Sequence, residues 1–282
     1  DLDAARDTLE LCSGCKACVS SCSSIVDIPQ LTNELRRRLV KKHGLSAAGT
    51  LILHGLLKNP DVFRRCVGAA RFFQSPFSHD GRIRRMLFLP GFRTTPAIAS
   101  KTLREVLPPV MRPNDKPVSR VALYAGCMAE FIYPEIAVSA ARSMAHGGAE
   151  VIFPSEQACC GAPAIYCGDV ETAIELAKRN IDALEADNPE YIVTVCPTCA
   201  MTFKDDLPRL LASTEWEEKA VELAAKVRDF SDFALNTLSL KPAHVSGRVT
   251  YHDPCHQVRG TGGGAASREL IIRSGIELIE MP

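Results

Sequence analysis

The chain has 282 residues, 46% of them hydrophobic and 23% charged, with 33 Lys+Arg balancing 33 Asp+Glu. That is the composition of ordinary globular protein, about two domains at this length, and it excludes a disordered or collagen-like chain. Twelve cysteines are too dilute for a disulfide-stapled mini-protein, and no apolar run reaches the roughly 18 residues of a membrane-spanning helix.

The neutral total hides segregation. Residues 1–32 carry two basic and five acidic side chains, residues 33–120 carry 18 and five, and residues 121–282 carry 13 and 23. A basic island of this kind suggests an anionic partner, or self-neutralisation against the acidic half. Residue 1 is Asp, so the chain is silent about a signal peptide, and we read it as an internal piece of a larger protein.

Residues 12–22 hold four cysteines among Ser and Gly, a loop by composition. Pro29 followed by Leu31, Leu35 and Leu39 predicts a helix to about Lys42, closed near Gly44. Further helices are expected over 47–57 and 61–73. Seven prolines between 74 and 118 suggest an extended connector that wraps over a surface instead of entering a core. From Arg120 onward, strands are expected at 121–124, 150–153, 191–195, 248–251 and 276–280. They alternate with helices at 134–146, 169–186, 200–211, 215–239 and 265–274. Such alternation predicts α/β structure with a mainly parallel sheet. Cys127, Cys196 and Cys255 each follow a predicted strand, where ligands gather in open α/β sheets.

The first metal motif is Cys12-x2-Cys15-x2-Cys18-x3-Cys22. Thiolates at this spacing hold three irons of one cubane, and the fourth cysteine of the run serves the other cluster of a two-cluster module. Cys12, Cys15 and Cys18 are thus assigned to one cubane and Cys22 to another, whose remaining ligands would lie upstream; the alternative is that Cys66 completes a lone cluster. We favour the former, because Cys66 on the 61–73 helix reads as an ordinary buried thiol. Ser23 follows Cys22 where ferredoxins usually have Pro.

The second motif is Cys127, then Cys159-Cys160-Gly161, then Cys196-Pro-Thr-Cys199. Five thiols exceed what a tetrahedral zinc accepts, and soft thiolates in this number point to iron–sulfur, with zinc the alternative. Gly126 and Gly161 are candidate cofactor-binding positions, letting backbone approach the cluster.

Here the sequence resembles the cysteine-rich CCG domain family. That family includes the B subunit of heterodisulfide reductase, glycolate oxidase iron–sulfur subunits, the C subunit of anaerobic glycerol-3-phosphate dehydrogenase and lactate-utilisation iron–sulfur proteins. The resemblance implies that Cys127, Cys159, Cys160, Cys196 and Cys199 ligate a noncubane [4Fe–4S] cluster, in a Rossmann-like domain preceded by a ferredoxin-type [4Fe–4S] segment. The family motif is usually doubled, and Tyr251-His-Asp-Pro-Cys255-His resembles the opening of the second copy, which makes Cys255 a ligand of a second cluster. Residues 126–135, 153–163 and 248–256 look like the lactate-utilisation subunit with the CCG repeats, and 27–63 like its ferredoxin-type companion, as if two subunits were fused. The expected organisation is a ferredoxin-type half-module (1–44), a basic connector (45–118), a complete CCG domain (119–246) and the start of a second (247–282).

Of the remaining cysteines, Cys167 reads as a structural thiol or a group near the cluster. His252 and His256 flank Cys255 and either move protons, orient the second cluster, or are satisfied hydrogen-bonding histidines. Gly260 and Gly262–Gly264 lack the Lys-Ser/Thr of a phosphate loop.

The function expected from these features is an iron–sulfur subunit of an L-lactate-oxidising complex. The alternatives are a thiol/disulfide redox subunit of the heterodisulfide reductase kind and a zinc-bearing structural module. Expected partners are other subunits of a redox complex, docking on the basic 33–120 segment, and a small-molecule substrate. No nucleic acid is expected, and membrane association would be peripheral. A cytoplasmic location is expected, because clusters and free thiols need a reducing compartment.

Overall fold

The structure is a computed structural model describing residues 2–74, 78–79, 82–83, 95–238 and 240–281. Its centre is a five-stranded sheet of β1 (Val110–Met111), β2 (Ser119–Tyr124), β3 (Ala149–Ile152), β4 (Tyr191–Thr194) and β5 (Val227–Asp229), in the order β1-β3-β2-β4-β5. Only β1 runs antiparallel; β3, β2, β4 and β5 are mutually parallel. The protein is thus α/β with a mainly parallel sheet, as the alternation predicted.

The central strand β2 is apolar along Val121–Tyr124 because both of its faces are covered. Val121 and Leu123 point into one core with Val193, Met144 and Phe233. Ala122 and Tyr124 point into the other with Ile192, Leu184, Phe203 and Leu223. Connections from β2 pass to β3 on one side, and the chain then crosses to β4 on the other. The strand order therefore reverses at β2/β4, opening a crevice at their C-terminal ends.

The helices that bear on the site are α1 (Ile28–His43), α2 (Pro60–Gln74), α3 (Gly126–Phe131), α4 (Pro134–His146), α5 (Ala162–Cys167), α6 (Val170–Glu185) and α7 (Pro197–Met201). Of these, α1, α2, α4 and α6 lie where periodicity placed them, whereas α3 and α5 were not expected and α7 begins three residues before the helix expected at 200–211. Asp27 caps α1 by accepting from the Gln30 N–H, and Gly44 closes it at φ 75°. Among the described residues no helix is long and apolar enough to cross a membrane.

Three expectations change. The helix predicted over 215–239 is interrupted by β5: Glu217–Lys226 is helical, and Val227 and Asp229 are then buried as a sheet edge. Three residues, Val-Arg-Asp, are too few to show a period of two. The 74–118 connector does enter the core, for Leu103 is fully buried, Leu107 is 5% exposed, and β1 completes the sheet. Residues 75–77, 80–81 and 84–94 of that connector, with Pro76 and Pro90, lie outside the described residues. Strands at 248–249 and 277–278 form, but pair in parallel with each other as a separate ladder.

Candidate metal centre

The five CCG-type cysteines sit on three turns at the C-terminal side of the sheet. Cys127 opens α3 directly after β2, Cys159 and Cys160 precede α5 after β3, and Cys196 and Cys199 bracket the start of α7 after β4. Their thiols meet in a chain: Cys127 with Cys159, Cys159 with Cys160, Cys160 with Cys199, and Cys199 with Cys196. Cys160 and Cys199 are buried, the other three half-buried. Among the described residues no three His, Cys, Asp or Glu side chains close around a single metal ion; the sulfurs are strung across a wider space.

Glycine is required where backbone and sulfur crowd. Gly126 has φ 69°, and a Cβ there would stand 3.0 Å from Cys199 Sγ. Gly161 has φ 91° and starts α5 immediately after the paired cysteines. Both glycines singled out in the sequence therefore occupy left-handed backbone at the thiol cluster.

The loop carrying Cys159 and Cys160 is clamped by side chains that no sequence motif marks. The Gln157 side-chain oxygen accepts from the Ala125 N–H at 2.9 Å, and its amide donates to the carbonyls of Leu123 and Pro154. Asn180 on α6 accepts from Ala158 N–H at 2.9 Å and donates to the Cys159 carbonyl at 2.8 Å. Tyr124, fully buried, donates to the Ala158 carbonyl at 2.7 Å. Sequence reasoning misses all three, since each acts through a partner distant in the chain.

The electrostatics divide the five thiols. Cys127 is pushed far up, first because it donates to Cys159 and then by burial. For Cys159 the bond from Cys127 lowers the pKa, but donation to Cys160 and burial outweigh it and carry the thiol up to about 12. Cys160 is held well below the ordinary thiol range by hydrogen bonds from Cys159 and Cys199. Cys196 falls to about 6, because it accepts from Cys199 and then from backbone N–H groups. Cys199 is raised by its bonds to Cys160 and Cys196, two acceptors for one proton. Two acceptor sulfurs in a buried chain call for positive charge, and soft, iron-binding thiolates in this number fit an iron–sulfur cluster.

The N-terminal run lies against this centre. Cys12 and Cys15 occupy the loop between two short helical turns, Arg6–Glu10 and Ala17–Ser20; Cys18 lies within the second turn and Cys22 in the bend after it. Cys15 is lowered chiefly by the Ala17 N–H and Cys22 chiefly by the Val26 N–H; backbone donors aimed at sulfur stabilise its anionic form. Arg36 of α1 donates to the Cys12 carbonyl at 2.7 Å and to the Leu9 carbonyl. Lys16 pairs with Asp205 at 2.5 Å and Arg209 with Asp27 at 3.2 Å, tying the loop and α1 to the segment after α7.

Cys255 stands at the start of the turn 256–261, which packs on α7. His256 is buried, its Nδ1 2.9 Å from the Thr198 hydroxyl inside the Cys196–Cys199 turn, and burial lowers its pKa. His252 is exposed. Cys66, read from sequence as a buried thiol, is exposed on α2, because its position faces away from the packed side of that helix; Cys167 is also exposed. Beside Cys127 and Cys159 lies a cavity of about 40 Å³, bordered by Leu57, Phe63 and the ion pair Arg104–Glu130 at 3.0 Å. Burial lowers Arg104 and raises Glu130.

Residues 121–204 match the model of the CCG cysteine-rich domain family, a span that contains all five thiols of the chain described above. The sequence is 35% identical over 172 residues to the B subunit of the fumarate reductase (CoM/CoB) of Methanothermobacter marburgensis, covering 60% of this chain and 32% of that protein. It is 29% identical over 284 residues to the probable glycolate oxidase iron-sulfur subunit of Bacillus subtilis, covering 88% of this chain and 59% of that one. It is 34% identical over 167 residues to lactate utilization protein A of a Geobacillus species, covering 58% of this chain and 69% of that one. The chain thus spans about a third and about three fifths of the first two relatives. With the thiol chemistry, these matches assign [4Fe–4S] clusters to the protein. The chain belongs to the CCG cysteine-rich domain family of iron–sulfur proteins.

Proposed function

We propose that the protein is the electron-transferring iron–sulfur part of a complex that oxidises a 2-hydroxy acid, L-lactate by preference, and delivers electrons to an external acceptor. The observation that carries this reading is the packing of the N-terminal cysteine loop against Arg259 of the turn after Cys255 and against Tyr166, whose ring packs beside the CCG cysteines. In this reading Cys127, Cys159, Cys160, Cys196 and Cys199 hold a noncubane [4Fe–4S] cluster, Cys12, Cys15 and Cys18 a cubane, and Cys22 and Cys255 belong to further clusters. A bound cluster supplies one-electron storage. The residues of the chain supply the rest: Gln157, Asn180 and Tyr124 fix the ligand loop, and the apolar wall of the small cavity excludes water from Cys127 and Cys159.

The names of the lactate-utilisation and glycolate oxidase relatives support this choice of substrate class. The basic 33–120 segment is the proposed docking surface for an acidic partner subunit, through exposed Lys41, Arg65, Lys101 and Lys116. The twelve free cysteines fit a reducing, cytoplasmic setting.

Anaerobic addition of L-lactate to the full-length complex tests the proposal: the visible iron–sulfur absorbance bleaches. Bleaching by a dithiol but not by lactate would transfer the assignment to thiol/disulfide chemistry, a reading favoured by the CoM/CoB relative. About one zinc and no iron beyond the N-terminal cluster would remove the cluster from the CCG thiols altogether.

A further inference from the structure

The small cavity bordered by Cys127 and Cys159 has two unlike walls. One is apolar: Leu57 and Phe63 stand there with Phe131, whose ring meets Phe63 edge to face at 5.1 Å between centroids. The other is charged. Arg64 of α2 and Arg104 stand against Glu130 of α3, so the border carries one surplus positive charge. Asp61, which pairs with Arg64, has a side chain 74% exposed, and water screens it. Glu130 is 5% exposed. Its Oε1 lies 3.0 Å from Arg104 Nε, yet neither atom makes an aligned hydrogen bond among the described residues. Burial lowers Arg104 and raises Glu130 despite their attraction, so the pair is short of polar contacts, a costly state for buried groups. The space open to the centres of water molecules is about 40 Å³. That is room for about three waters, or for one organic molecule of roughly 90 Å³. An anionic group for Arg64, a group that both donates and accepts for Glu130 and Arg104, and a short alkyl part for the apolar wall together define one ligand chemistry.

We propose that this cavity binds a short-chain 2-hydroxy acid. Its carboxylate lies on Arg64, its hydroxyl donates to Glu130 Oε1 and accepts from Arg104 Nε, and its alkyl group packs against Leu57, Phe63 and Phe131. The inference rests on the substrate class proposed above and deepens it, by giving that substrate a place beside Cys127 and Cys159. Arg104 is itself held in position, because its guanidinium donates to the carbonyls of Ser155 and Gln157. The exposed reach of Arg64, with 28% of its side chain open to water, marks the mouth.

Equilibrium dialysis of radiolabelled L-lactate against the iron-loaded full chain, reduced beforehand with dithionite so that no turnover occurs, tests the site. L-Lactate binds at one site per chain. Propionate, which keeps the carboxylate and alkyl group but lacks the hydroxyl, competes at least tenfold more weakly, since it leaves Glu130 and Arg104 unpaired. Arg64→Gln weakens L-lactate at least tenfold at unchanged iron content. Should that variant load poorly, Phe63→Trp, which fills the cavity from its apolar wall, abolishes binding instead. No binding of L-lactate, equal competition by propionate, or an affinity untouched by both variants overturns the proposal. The two readings fail separately. L-Lactate that binds at Arg64 without bleaching the iron–sulfur absorbance leaves the site and removes the proposed oxidation. Bleaching by lactate with binding indifferent to Arg64→Gln and Phe63→Trp leaves the oxidation and removes the site.

Discussion

At the scale of single residues, the thiol centre is governed by where a side chain is forbidden as much as by where one is present. Gly126 is left-handed, and a methyl group there would press on Cys199 Sγ. Gly126→Ala combines about 1–2 kcal/mol of backbone strain with displacement of the Cys199 sulfur. On the ligand assignment proposed above it should lower iron at the CCG thiols several-fold and leave iron at the Cys12–Cys22 run unchanged, as iron analysis combined with electron paramagnetic resonance would show. Asp206 offers a pH-dependent counterpart. Burial first, then the neighbouring Asp205, lifts its carboxyl to about 6 from an ordinary value near 3.8. Its charged form is thus disfavoured in the folded chain. The group costs nothing below pH 3.8, destabilises progressively as pH rises from 3.8 to 6, and levels off above that. Two units correspond to roughly 3 kcal/mol as an upper figure. Asp206→Asn should raise the melting temperature at pH 7.5 and flatten the loss of stability between pH 4 and 6 in thermal scans.

Elements explain both what was legible in the sequence and what was not. Strand–helix alternation from β2 onward is local, so the parallel sheet and α4 and α6 could be read directly from spacing. The cysteine motifs were legible for the same reason: Cys159-Cys160 and Cys196-x2-Cys199 each fall at short intervals within a single turn. The clamp by Gln157, Asn180 and Tyr124 was not legible, because its bonds join segments 21 to 34 residues apart. Nor was the buried role of Leu103, where proline density concealed a short helical turn at 103–106. The junction of α1 with α5 is another tertiary feature. Gly168, at φ 82°, lets the Arg36 backbone approach so closely that a Cβ would stand 2.6 Å from its carbonyl carbon. Gly168→Ala should loosen α1 and the cysteine loop from the CCG domain. Limited proteolysis would then cut within 1–44 several times faster, with the iron of the CCG site retained; unchanged cleavage would show that the glycine is incidental.

On the scale of the whole molecule, the charge segregation is partly resolved inside the fold. Lys58 pairs with Glu175, Arg104 with Glu130, and Arg112 and Arg120 with Glu150, each joining the basic segment to the acidic half. Self-neutralisation therefore accounts for part of the island, and the docking proposal falls on the exposed remainder. Replacing Arg65, Lys101 and Lys116 together by Glu should weaken assembly of the complex at least tenfold at low salt, and less at high salt where such charges are screened. Unaltered co-purification of the subunits would argue that the surface is merely solvated.

The spacing of the cysteine-bearing turns also bears on how the protein is made. Cys12 to Cys22 fall within eleven consecutive residues, short enough for an unfolded, newly synthesised segment to capture iron on its own. Cys127, Cys159 and Cys196 are brought together only by β2, β3 and β4, so on the proposed ligand assignment their cluster could be installed only after the sheet has closed. Maturation would then have an order: the local run competent first, and the sheet-borne centre a checkpoint that only a correctly folded chain can pass.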